Sequence, residues 1–223
     1  MHCKYLYKVM AFLSDNICVS RENWSQPMEI SKPGEGYLDT TQLHADLKAF
    51  LSQPGPAEHP PCPNCANHIP SQCSASCTQA PAALSIDPEQ HPIEENMVPL
   101  VFELMSTNVL RTCWSCEGHS DSNGEIWRMP NVSFYSKSMY YPQLLLKHLV
   151  NLKYSGALHY TWQIVLADYG QTSGVTFCIQ PDMTQEDYAE LEQLQTDLKT
   201  IADNMLEKLK DIARQMIKDT GID

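Results

Sequence analysis

At 223 residues, 43% of them hydrophobic and 19% charged, the chain is long enough to bury a real core and too apolar for global disorder. Its formal net charge of −12 and pI near 5.0 predict a soluble protein repelled by phosphate backbones and anionic membranes. No apolar run approaches the roughly 18–20 residues of a membrane span.

Residues 1 to 36 are weakly patterned, and the only apolar run near the start, Val9 to Leu13, is shorter than the roughly 7–15 residues of a secretory h-region. The expectation is a cytoplasmic protein without a signal peptide, in which cysteine pairs serve metal or thiol chemistry rather than a disulfide scaffold. Asp39-Thr40-Thr41 offers an N-cap ahead of the stripe Leu43, Leu47, Phe50 and Leu51, which predicts a helix ending by Pro54 and packing as a satellite.

Pro-rich sequence then leads into CPNCANHIPSQCSASC. Cys62, Cys65, Cys73 and Cys77 are spaced to wrap one structural Zn²⁺ tetrahedrally, with His68 an alternative ligand that the complete cysteine set makes unnecessary. In so loop-rich a segment, metal binding would supply the folding free energy, roughly 10–16 kcal/mol in zinc-finger peptides. The knuckle holds no Lys or Arg, and none occurs from Ala49 to Leu110, so nucleic acid is disfavoured as a partner.

Ile93 to Ser106 reads as a helix with Glu94 and Glu95 in its first turn, where acids favour the dipole, and with Met97, Leu100, Val101, Leu104 and Met105 facing the core. Beyond the central stretch Arg111 to Ser136, Pro142 opens a helix carrying Leu144, Leu145, His148, Leu149 and Leu152, stopped by Ser155-Gly156, with His148 as a packed core histidine. Trp162 to Leu166 and Val175 to Ile179 predict paired strands across the Asp168-to-Gly174 loop. From Thr184 to Lys218 the apolar stripe containing Leu198, Ile201, Met205 and Ile212 predicts one helix of roughly 50 Å, longer than the domain needs. Self-association through that stripe, giving a homo-oligomer, is one expectation; a helix laid along its own domain is the other.

The central stretch, RTCWSCEGHSDSNGEIWRMPNVSFYS, concentrates the chemistry. Thr112 to Trp114 ends a strand, Gly118 makes a sharp turn, Asp121 to Gly124 is a hairpin signal, and Ile126-Trp127 and Val132 to Tyr135 return as strands. Four readings stay open. Cys116, Glu117 and His119 can form a metal-free pocket for a small molecule or peptide end, bordered by Trp127 and Arg128, with Cys116 or His119 and Glu117 doing acid–base or nucleophilic work and Arg128 holding an anion. Cys113, Cys116 and His119 can bind a second, catalytic zinc as in a hydrolase. The two cysteines can form a redox pair, or the whole turn can be structural.

The order CPNC…CSASC, APAALSIDPEQHPIE, RTCWSCEGH and WRMPNVSFYS resembles a bacterial zinc-knuckle family over roughly residues 60 to 180, a resemblance that brings no activity with it. More distantly, Ser115, Cys116, Gly118 and His119, with Pro130, Val132 and Phe134 behind them, are similar to the Ser-Cys-x-Gly turn of wybutosine-synthesising tRNA methyltransferases. Methyl transfer is what that likeness would imply, but this chain departs from it in having a knuckle and no basic face for tRNA.

The expected architecture is α+β: a small mixed or antiparallel sheet with helices packed on it, an inserted knuckle and a long C-terminal helix. It divides into 1–56, a segment and satellite helix; 57–92, knuckle and linker; 93–182, the core; and 183–223, the terminal helix. The rival to a ligand-binding or enzymatic role is a non-catalytic interaction module dimerised through that helix.

Overall fold

The structure, a computed structural model, describes residues 40–53, 90–167, 176–183 and 189–220. Cys62, Cys65, Cys73 and Cys77, and with them the expected knuckle, lie outside the described residues, as do the segment before residue 40, the Asp168-to-Gly174 loop and Thr184.

The elements run α1 (Thr40–Leu51), a 3₁₀ turn (Glu95–Met97) leading into α2 (Val98–Ser106), β1 (Leu110–Cys116), β2 (His119–Ser120), β3 (Ile126–Arg128), β4 (Asn131–Ser136), α3 (Tyr140–Tyr154), β5 (Trp162–Ala167), β6 (Thr176–Pro181), α4 (Leu191–Ala202) and α5 (Met205–Asp219). The class is α+β. A four-stranded antiparallel sheet has the order β1-β4-β6-β5, and the small β2-β3 ribbon projects between β1 and β4. Pro99 sits in the first turn of α2, where its missing N–H costs nothing. At the end of α3, Gly156 turns left-handed (φ 74°), and the N–H groups of Ala157 and Gly156 close back on Leu152 O and Lys153 O as a Schellman cap.

Alternation along the central strands puts Val132, Phe134, Phe177 and Ile179 on one face, and the helices bury it: α2 packs by β1 and α3 by β5. Helix α1 is no satellite. Leu43, Leu47 and Phe50 are fully buried in the common core, where α1 packs on α3 and α5, and His44 bonds the Thr220 hydroxyl at the end of α5. Burial of such side chains stabilises by roughly 1.5–3 kcal/mol each. His148 is a core histidine, as its place in the stripe predicts, and its Nε2 bonds Ile201 O at 2.9 Å.

The single long terminal helix is broken in two. Asp203 (ψ 110°) and Asn204 (φ 51°) leave helical geometry between α4 and α5, and Asn is a side chain that tolerates the left-handed region. From α2, Glu103 Oε2 accepts the Leu206 N–H at 2.9 Å, a cap for the new helix that a continuous helix would not need. At the other end the helix begins at Leu191, because Glu190 is extended (φ −99°, ψ 124°) and donates its N–H to the Tyr160 hydroxyl. The break folds both halves onto their own domain, so Leu194, Leu198, Ile201, Met205 and Leu209 are all core, while Ile212 is only partly buried. Of the stripe expected to self-associate, Leu198, Ile201 and Met205 are buried within the chain's own core.

No helix among the described residues is long and apolar enough to cross a membrane.

Candidate metal centre

Gly118 organises the turn. Its φ of +85° reverses the chain between Cys116 and His119, and its Cα is covered so closely that an added Cβ would stand 2.7 Å from Leu191 Cδ1 and 2.9 Å from Pro130 Cδ. The Gly118 N–H is directed at the Cys116 sulfur. Gln195 of α4 donates to Glu117 O at 3.2 Å, fastening the turn from the other side.

Cys116 and His119 do converge, and the third side chain beside them is Glu94. One donor atom from each of Glu94, Cys116 and His119 lies within 4.8 Å of the others. His119 Nε2 is 3.0 Å from Glu94 Oε1, while the Glu117 N–H donates to Glu94 Oε2 at 2.6 Å. Donors around a tetrahedral metal ion such as zinc stand about 3.3–3.8 Å apart, and this spacing makes the three side chains a candidate metal-binding group. The sulfur is buried, whereas the His119 and Glu94 side chains are 36% and 31% exposed, so the cluster opens to solvent on the imidazole–carboxylate side.

Burial pushes the Cys116 thiol above its usual range; the Gly118 N–H and the charge of Arg128 offset this in part, and Glu94 adds to it. The free side chain is therefore a thiol at neutral pH, and a metal ion must displace its proton.

Of the other side chains that the sequence grouped at this turn, Trp127 borders the cluster, whereas Glu117, Cys113 and Arg128 go elsewhere. Glu117 turns back to the 3₁₀ turn, where its Oε2 accepts both the backbone N–H and the Nδ2 of Asn96 at 3.0 Å, so it serves as a cap. Cys113 is the extra residue of a bulge in β1, since Thr112 pairs with Phe134 and Trp114 with Ser133; it is exposed and takes no part in the cluster. Trp127 is the corresponding extra residue of β3, between Ile126 opposite Ser120 and Arg128 opposite His119. Its ring stacks on His119 at 5.1 Å and 17°. Arg128 instead lies over the Trp114 ring, 5.7 Å from the centroid, beside a cavity of about 480 Å³ lined by Trp114, Arg128, Asn131, Cys178 and Gln180.

Glu94 escaped sequence reasoning because nothing in local spacing links it to a turn so far along the chain. Asp197 escaped it too, although the signal was present: it falls three residues after Leu194 and four before Ile201, inside the apolar stripe of α4. Fully buried, it accepts from the N–H groups of His159 and Tyr160, from Trp162 Nε1 and from the His159 ring. No family model matches the chain, and neither a curated protein nor a solved structure matches it.

Proposed function

We propose that this is a zinc-binding protein with one ion held by Glu94, Cys116 and His119 and a coordination position left for water or a small oxygen-donor ligand. The observation that carries the reading is the convergence of those three donor atoms. A thiolate, an imidazole and a carboxylate form a mixed donor set suited to Zn²⁺, and three protein ligands leave the fourth tetrahedral position free. The exposed imidazole–carboxylate edge supports placing that position toward solvent. The order of the ligands differs from the Cys113, Cys116 and His119 set of a zinc hydrolase, and Glu117, engaged with Asn96, is not placed to act as a general base for one. The reading therefore favours metal and ligand binding over hydrolysis. A second, structural zinc on Cys62, Cys65, Cys73 and Cys77 completes the proposal.

Cobalt substitution tests it. The Cys62→Ser/Cys65→Ser/Cys73→Ser/Cys77→Ser protein should bind one Co²⁺ with a thiolate-to-metal charge-transfer band that Cys116→Ser abolishes. Full-length protein should carry two zinc equivalents by elemental analysis, and His119→Ala should carry one. A quadruple variant that is folded but binds no cobalt, or His119→Ala with undiminished zinc, overturns the assignment.

A further inference from the structure

We propose a second binding site, on the sheet face opposite the helices, that takes a small organic carboxylate carrying a flat apolar group. Trp114, Ser133 and Cys178 share a register line across β1, β4 and β6, and they face away from Phe134, Phe177 and Ile179. The cavity there, about 480 Å³, is within the size range of small-molecule sites.

Its lining argues for an anion. No carboxylate lines it among the described residues, in a chain of net charge −12. The Arg128 guanidinium forms no ion pair among the described residues, unlike Arg214, which is held by Asp211 at 2.6 Å. Its central carbon lies over the Trp114 ring, 5.7 Å from the centroid, and its N–H fork is left for a ligand. Gln180 and Asn131 add carboxamides; the Asn131 Nδ2 gives one hydrogen bond to Met129 O and carries a second N–H. A single guanidinium matches a monoanion, and the half-exposed Trp114 ring supplies a flat apolar wall for the rest of the molecule. An aromatic carboxylate satisfies both.

The test uses 4-fluorobenzoate and the full chain, followed by fluorine NMR line broadening. Binding should be seen below about 10 mM, and Arg128→Gln should weaken it by about tenfold or more. Gln180→Met should weaken it less, while Arg111→Gln, a charge change outside the cavity, should leave it unchanged. The neutral 4-fluorobenzamide should not compete. A carboxylate held by the metal centre instead would survive Arg128→Gln, and that result overturns the proposal. So does equal binding of the amide, or no broadening at the highest concentration. Metal content is read separately, so failure here leaves the Glu94–Cys116–His119 reading standing.

Discussion

His119 and Glu94 meet at 3.0 Å although one lies in a two-residue strand and the other in the extended chain entering the 3₁₀ turn. The same carboxylate receives the Glu117 N–H on its second oxygen, so Glu94 both fixes the turn and offers a donor atom to the cluster. These roles separate by substitution. Glu94→Gln keeps an acceptor for Glu117 N–H but loses the anionic ligand, and should weaken zinc binding at this centre by about a hundredfold with little loss of thermal stability. Glu117→Gln should do the reverse, leaving zinc affinity within about threefold while lowering stability by about 1 kcal/mol through the Asn96 cap. Competition with a chromophoric chelator reads the first quantity and thermal denaturation the second.

Gly118 sets the geometry that Cys116 and His119 depend on. An alanine there must hold φ near +85° and place its methyl against the Pro130 ring, which cannot move aside as the Leu191 side chain can. Gly118→Ala should cost about 2–4 kcal/mol, from the left-handed backbone and the overpacking together. Gly124, also at positive φ but with open space around it, should cost only the backbone part when changed to alanine, about 1–2 kcal/mol. Equal losses at the two positions in urea denaturation would remove the packing argument.

How far this was legible in the sequence follows from the range of the interactions. The Asp121-to-Gly124 turn, the Gly156 stop and the buried His148 are local patterns, and the structure has each of them. The break at Asp203-Asn204 is set partly from outside the helix, by Glu103 reaching the Leu206 N–H, so the unbroken apolar stripe predicted a continuous helix. The division of the central turn has a similar cause. Two bulges, at Cys113 and Trp127, decide which side chains reach the cluster and which reach the cavity, and periodicity carries no record of an extra residue in a strand. Glu94 joins Cys116 and His119 in the candidate metal-binding group only through its pairing with the turn, and that contact is long-range.

Asp197 joins α4 to the entry of β5. Its side chain is wholly buried, and it accepts hydrogen bonds from Tyr160 N, Trp162 Nε1 and His159 N, which the loss of the carboxylate would leave without this acceptor. Asp197→Ala should destabilise the protein by about 3–5 kcal/mol, and Asp197→Asn by less, since one acceptor oxygen survives. Removing the exposed partner by His159→Ala leaves the two oxygens engaged with backbone and indole and should cost under about 1 kcal/mol. A loss at His159→Ala as large as at Asp197→Ala would mean that the ion pair, not the buried donors, holds this junction.

His148 gives the protein a defined sensitivity to acid. Burial lowers its pKa below the ordinary 6.5, the bond to Ile201 O opposes that shift, and Lys208 adds to it. Its unfolded form takes up a proton near pH 6.5 while the folded form resists, so the unfolded state binds more protons in that window. Stability from this group is fully present above pH 6.5 and falls as the pH drops through the folded value, by at most about 1.4 kcal/mol per pH unit. Glu103 titrates in the opposite sense: burial raises its pKa from the ordinary 4.5, so its charging disfavours the folded state as the pH rises. The two are separated by difference. Urea denaturation of the parent chain and of His148→Leu between pH 5 and 7.5 carries the Glu103 contribution in both, and subtraction leaves His148. The parent should lose stability relative to the variant below pH 6.5 and run parallel to it above. Parallel curves across the whole range would mean that His148 is protonated as readily in the folded protein as in the unfolded one, and that burial does not disfavour its charge.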